Sequence, residues 1–134
     1  MTTAGERVAR LEHMDRSAVR KIAAVMGFVA VTLFIASALH LLDNSFHAGI
    51  PEVIIGVVLA TGAAVMVQEP WRARALGLGA VGFAIVGFGV GLRMTSQGGH
   101  VGEIAYHVVV LPILIGAFVA LLRAAPARQS SMSR

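Results

Sequence analysis

Seven side chains in this sequence could hold a metal, ligate a cofactor or carry a proton: His40, Asp43, His47, Glu52, His100, Glu103 and His107. Imidazole with carboxylate is the ligand set of zinc, iron, copper and manganese. Two or three histidines with one or two acids suffice for one divalent ion. The carboxylates would alternatively sit behind the imidazoles and orient them. A b-type haem needs two imidazoles at one depth on facing helices, and His40 with His107 meets that condition. Histidine titrates near neutral pH, so the same set also suits proton or ion handling.

Two segments share a spacing. His40-Leu41-Leu42-Asp43-Asn44-Ser45-Phe46-His47 and His100-Val101-Gly102-Glu103-Ile104-Ala105-Tyr106-His107 both read His-x-x-acid-x-x-aromatic-His. On one continuous helix, positions i, i+3 and i+7 fall on one face. That aligns His100, Glu103 and His107 if the last helix starts at the turn before it. The first copy is interrupted by the turn chemistry of Asn44-Ser45. His40 and Asp43 then end one helix, and His47 leads into the next. Eight residues do not separate a two-plus-two repeat from coincidence.

The elements that must position these residues are four apolar runs: Ile22–Leu42, Ile50–Val67, Ala75–Leu92 and Ile104–Leu122. A bilayer core takes roughly 20 apolar helical residues to cross. The 134-residue chain is 57% hydrophobic and only 13% charged. A soluble domain of this size could not hide four stripes that are apolar all round. The fold class is therefore all-α, an integral membrane bundle of four antiparallel spans. Residues 1–21 form a basic segment, 22–123 the membrane domain and 124–134 a disordered tail. The basic segment reads as a solvated extension of the first helix, with an amphipathic surface helix as the alternative. A basic start followed by an apolar run and Ala36-Ser37-Ala38 also resembles a signal peptide. The run's continuation to Leu42 favours a span.

Basic residues set the orientation. Arg7, Arg10, Arg16, Arg20 and Lys21 precede the first run, Arg72 and Arg74 lie between the second and third, and Arg123, Arg128 and Arg134 follow the fourth. Arg93 alone falls on the other side. Lys and Arg in short loops stay cytoplasmic. Both termini are thus expected inside a plasma membrane, with the Asp43–Gly49 and Arg93–His100 loops outside. The net charge of +4 is spent at span ends, not in a patch with stacking aromatics, which argues against a nucleic-acid partner.

Counting about 1.5 Å per residue from these anchors puts His40, Glu52, Arg93 and His107 roughly 24–28 Å across. Glu103 lies slightly further, and Asp43, His47 and His100 just outside. All share one layer. A polar network there, with Arg93 neutralising Glu52, Asp43 or Glu103, would lock helix register without binding anything. Glu52 would in that reading cap the second helix. Small residues form stripes on every span: Ala23, Gly27 and Ala30; Gly56, Ala60 and Ala63; Ala80, Ala84, Gly87 and Gly91; Gly116 and Ala120. In lipid such stripes allow close helix approach. They are read as internal seams, or else as the contact face of a homo-oligomer or a larger complex. Such dense glycine leaves little room for a wide pore.

Cysteine is absent, which excludes thiolate sites and disulfides. The sequence has no phosphate loop, no Ser-His-Asp nucleophile arrangement and no H-E-x-x-H helix. The middle of the membrane holds only Thr32 and Thr61 as polar side chains, which speaks against a midplane transport site. An enzyme is therefore not the favoured reading.

The Asp43-Asn44-x-x-His47 element after a first-span histidine, and the late Glu103-x-x-Tyr106-His107 opening the last span, resemble short four-span membrane proteins of uncharacterised families in high-GC bacteria. The resemblance implies span layout and plasma-membrane location, and no mechanism. The reading is a small integral membrane protein whose outward His/carboxylate cluster binds a divalent metal. Its rivals are a non-catalytic accessory subunit and a haem-binding or proton-handling protein.

Overall fold

The structure is a computed structural model that describes residues 16–70, 72–98 and 101–124. Four helices account for nearly all of them: α1 (Arg16–Leu42), α2 (Phe46–Gln68), α3 (Ala73–Thr95) and α4 (Val101–Arg123). At 1.5 Å per residue, each is about 34 Å or longer, enough to cross a hydrocarbon core of about 30 Å. Between 22% and 39% of each helix's most apolar stretch is buried inside the bundle. The remaining apolar surface, including Phe28, Ile54, Val86 and Val109, must face lipid. The chain is a multi-pass membrane protein.

The helices outrun the apolar runs. From Arg16, the first described residue, to Lys21 the chain is already helical and continuous with the first apolar run. The alternative of a surface helix falls on residues 1–15, outside the described residues, as do Trp71, His100 and the tail from 125. α2 begins at Phe46, four residues before its apolar run. Its start follows from the turn before it. Asn44 takes a left-handed φ of 58°. The N–H groups of Ser45 and Asn44 then return to the carbonyls of His40 (2.7 Å) and Leu41 (3.2 Å). This Schellman closure satisfies the orphan carbonyls of α1, and asparagine tolerates the left-handed position.

Packing follows small residues. Ser37 donates to the carbonyl of Gly49 across α1 and α2 at 2.8 Å. Going up α2, Gly49 lies against Leu41, Gly56 against Phe34 and Gly62 against Met26 of α1. On α3, Gly77 meets Met66 of α2 and Leu121 of α4, while Gly91 meets His107. α1 with α2 and α3 with α4 form the closest pairs, α2 joins them, and α1 approaches α4 only sparsely. The core between them is built from Met26, Leu33, Leu59, Met66, Val81, Phe88, Leu114 and Leu121. The stripes are seams only in part: Ala80 and Ala84 are buried, but Gly27 and Gly116 have nothing within 4 Å of where a Cβ would stand.

Candidate functional site

The bundle holds a cavity of about 530 Å³ at the end that carries the histidines. Each helix contributes to its wall. α1 supplies Leu33 and His40, α2 supplies His47, Pro51, Glu52 and Ile55, α3 supplies Phe88, Val90, Gly91 and Met94, and α4 supplies Glu103 and His107.

His40 sits in the last turn of α1, where a basic group suits the carbonyl end of the helix. Its Nε2 lies 3.5 Å from Oε1 of Glu52. That is long beside the 2.7–2.9 Å usual for a charged N–H···O pair. The Glu52 side chain is 13% exposed, and its Oε2 is buried with no donor among the described residues. A buried acceptor left unpaired costs about 1–3 kcal/mol, and more if charged. Glu52 is the seventh residue of α2, beyond its first turn, so it does not cap that helix. Pro51, placed inside the helix and not in its first turn, has no N–H to return to the carbonyl of His47.

On the opposite wall, His107 is locked. Its Nδ1 pairs with the carbonyl of Glu103, one turn earlier, at 2.8 Å. Its Nε2 fills the space over Gly91, where a Cβ would stand only 2.5 Å away. Phe88 and Tyr106 hold the ring edge-on, with centroids 5.3 Å and 5.9 Å away. Tyr106 is tied to α1: Thr32 donates to the Val29 carbonyl at 2.8 Å, so the Tyr106 hydroxyl donates to Thr32 across 3.0 Å. Glu103 and Glu52 lie within electrostatic reach of one another.

The cavity thus joins His40, His47, Glu52, Glu103 and His107 of the expected set. Asp43 is exposed and does not line it. His100 lies outside the described residues. Arg93 is exposed and forms no ion pair with Glu52, Asp43 or Glu103 among the described residues, so the register-locking network is not built. The cluster is a set of pairs on separate helices. Among the described residues, no three histidine or carboxylate groups converge closely enough to hold a metal ion. For haem, His40 already offers Nε2 to Glu52 and His107 presses Nε2 against Gly91, so neither ring stands ready as an axial ligand.

Sequence reasoning overlooked Phe88, Pro51 and Met94 as wall residues and assigned Gly91 to a helix seam. A histidine one helix away at the same depth was the available signal for Gly91. No family model, curated protein or solved structure matches this chain.

Proposed function

We propose that this is a plasma-membrane protein with antiparallel spans and both termini in the cytoplasm, and that its outward cavity binds cations. The carrying observation is the charge of the wall: Glu52 and Glu103 both line the cavity and no Lys or Arg among the described residues does. Two carboxylates facing a space with low-dielectric walls focus a negative field into it. An ionisable group kept at membrane depth is a functional-site hypothesis by default. The distribution of Lys and Arg supports the topology. The sequence expectation of a divalent metal on His40, His107 and Glu103 is not carried into this reading, because no three histidine or carboxylate groups among the described residues converge.

The test uses the purified full chain in neutral detergent micelles. Calorimetric titration with Mn²⁺, Zn²⁺ and small ammonium ions should give saturable binding of at least one of them. Glu52→Gln should weaken that binding at least about tenfold, the scale of losing one partner of a desolvated charge pair. No binding by any cation, or binding indifferent to both Glu52→Gln and Glu103→Gln, overturns the reading. A periplasm-active reporter fused after Asn44 or Gln97 should be active, and one fused after Arg123 silent.

A further inference from the structure

We infer that the cation is an organic ammonium carrying an apolar body, seated with its charged head at Glu52 and Glu103 and its body against Leu33, Ile55 and Phe88. The inference rests on the cavity binding cations and names which kind.

Three observations separate this ligand from a bare metal ion. The first is size. About 530 Å³ lies within the roughly 300–1,000 Å³ typical of small-molecule sites, which are mostly apolar with a few placed polar groups. A metal ion would occupy a small corner of it. The second is donor placement. Glu52 and Glu103 stand on α2 and α4, and no three ligating groups among the described residues converge. An ammonium needs no converged shell, since each N–H takes one acceptor from a different wall. The acceptors are the carboxyl of Glu52 on α2, whose Oε2 has no donor among the described residues, and that of Glu103 on α4. The third is depth. The acids lie at the boundary of the hydrocarbon while Leu33, Ile55 and Phe88 lie one or two helical turns deeper along their own helices. Met94, 66% exposed, and Val90, 56% exposed, form the mouth. A molecule with a charged head and a greasy body matches that gradient. The amine of a lipid headgroup and a free amphiphilic amine share this chemistry.

The test is calorimetric binding of 4-phenylbutylamine to the full chain in maltoside micelles, with empty micelles subtracted. Three comparisons accompany it: 4-phenylbutyrate (the same body with an anion), methylammonium (the head without a body), and Mn²⁺ or Zn²⁺. Saturable binding of the amine, at least about tenfold tighter than either organic comparison, is the expected result. Met94→Trp, which fills the mouth from an exposed position, should weaken it, as should Glu52→Gln. Size exclusion and thermal melting confirm that each variant is folded. If Glu52→Gln does not fold, Glu103→Gln and Met94→Trp carry the test. Competition by phosphatidylethanolamine but not phosphatidylglycerol assigns the amine to lipid, and absence of competition assigns it to a free molecule. Equal binding of phenylbutyrate or methylammonium, or indifference to Met94→Trp, overturns the inference. If Mn²⁺ or Zn²⁺ binds in a Glu52-dependent way and the amine does not, the ligand class is wrong while the cation cavity stands. If no cation binds, both fall together.

Discussion

The two ends of the bundle treat charge in opposite ways. At the basic end, Arg16 and Arg20 are exposed and border a shallow cavity of about 290 Å³ with Val19, Val67, Gln68 and Pro70. Arg74 donates from Nε to the carbonyl of Leu121 at 3.2 Å, answering the unpaired carbonyls that end α4. Glu69 and Arg72 face each other at 3.9 Å with both side chains largely in solvent. These charges hold the helix ends at the membrane surface and bury almost nothing. At the histidine end, Glu52 is nearly buried, its carboxyl is incompletely paired and the helices part around it. A bundle built only for anchoring would repeat the basic end at both sides. Among the described residues, a carboxyl is buried at this end and not at the basic one, which supports the proposed site.

The strongest way to break this asymmetry is to remove the platform under His107. Phe88 is 2% exposed and holds both Tyr106 and His107 by ring contacts. Phe88→Ala should cost about 3–5 kcal/mol, the range for a buried aromatic cut to alanine. Reversible unfolding in mixed micelles would measure it, and a loss below 1 kcal/mol would show that the ring platform does not support the site. Next comes the glycine beneath the imidazole. Gly91→Leu drives a side chain into His107 Nε2 and should cost about 1–3 kcal/mol by overpacking. At Gly79, on the same helix toward the basic end, an added Cβ meets nothing within 4 Å, so Gly79→Ala should not lower the melting temperature.

This pair also shows how much the sequence discloses. The four spans were readable because lipid accepts only helices whose backbone groups are satisfied internally and whose surfaces are apolar. The layer of the site was readable too, since counting from basic anchors places His40, Glu52, Glu103 and His107 at one depth. Azimuth was not. Helices that are apolar on every face carry no periodic signal to say which side points inward. Asp43 and Arg93 therefore looked like partners in the cluster and are exposed. Gly91 looked like a helix–helix seam and instead accommodates a ring. α2 begins four residues before its apolar run because such a run reports composition alone, whereas the helix starts where the turn at Asn44 ends.

Glu52 gives a sharper contrast, because here stability and function should move in opposite directions. Glu52→Met replaces a carboxyl with an unpaired buried oxygen by an apolar side chain of like length. His40, 19% exposed, keeps access to water. Swapping an incompletely paired buried ion for a hydrophobic residue is neutral to stabilising, so the variant should gain about 1 kcal/mol while losing cation binding. A residue that lowers stability while serving binding follows the usual trade between activity and stability. A destabilised Glu52→Met would instead make the His40–Glu52 pair a structural clasp. Ser37→Ala should lose about 1 kcal/mol, because the buried hydrogen bond that joins α1 to the Gly49 carbonyl of α2 would be gone.

The smallest effect belongs to the other end and completes the contrast. Glu69→Gln removes the charge of an acid whose partner, Arg72, stands 3.9 Å away, with the two side chains 43% and 59% exposed. Water screens such a pair, and holding two long side chains together costs rotamer entropy, so exposed pairs contribute about 0–1 kcal/mol. The change should fall within about 0.5 kcal/mol of zero, shrink further in high salt, and leave cation binding untouched. Both outcomes are read from the same melting and titration series as the Glu52 variants. If Glu69→Gln altered cation binding as strongly as Glu52→Gln, the field in the cavity would be set by the net charge of the whole chain. The distinction between an anchoring end and a binding end would then be lost.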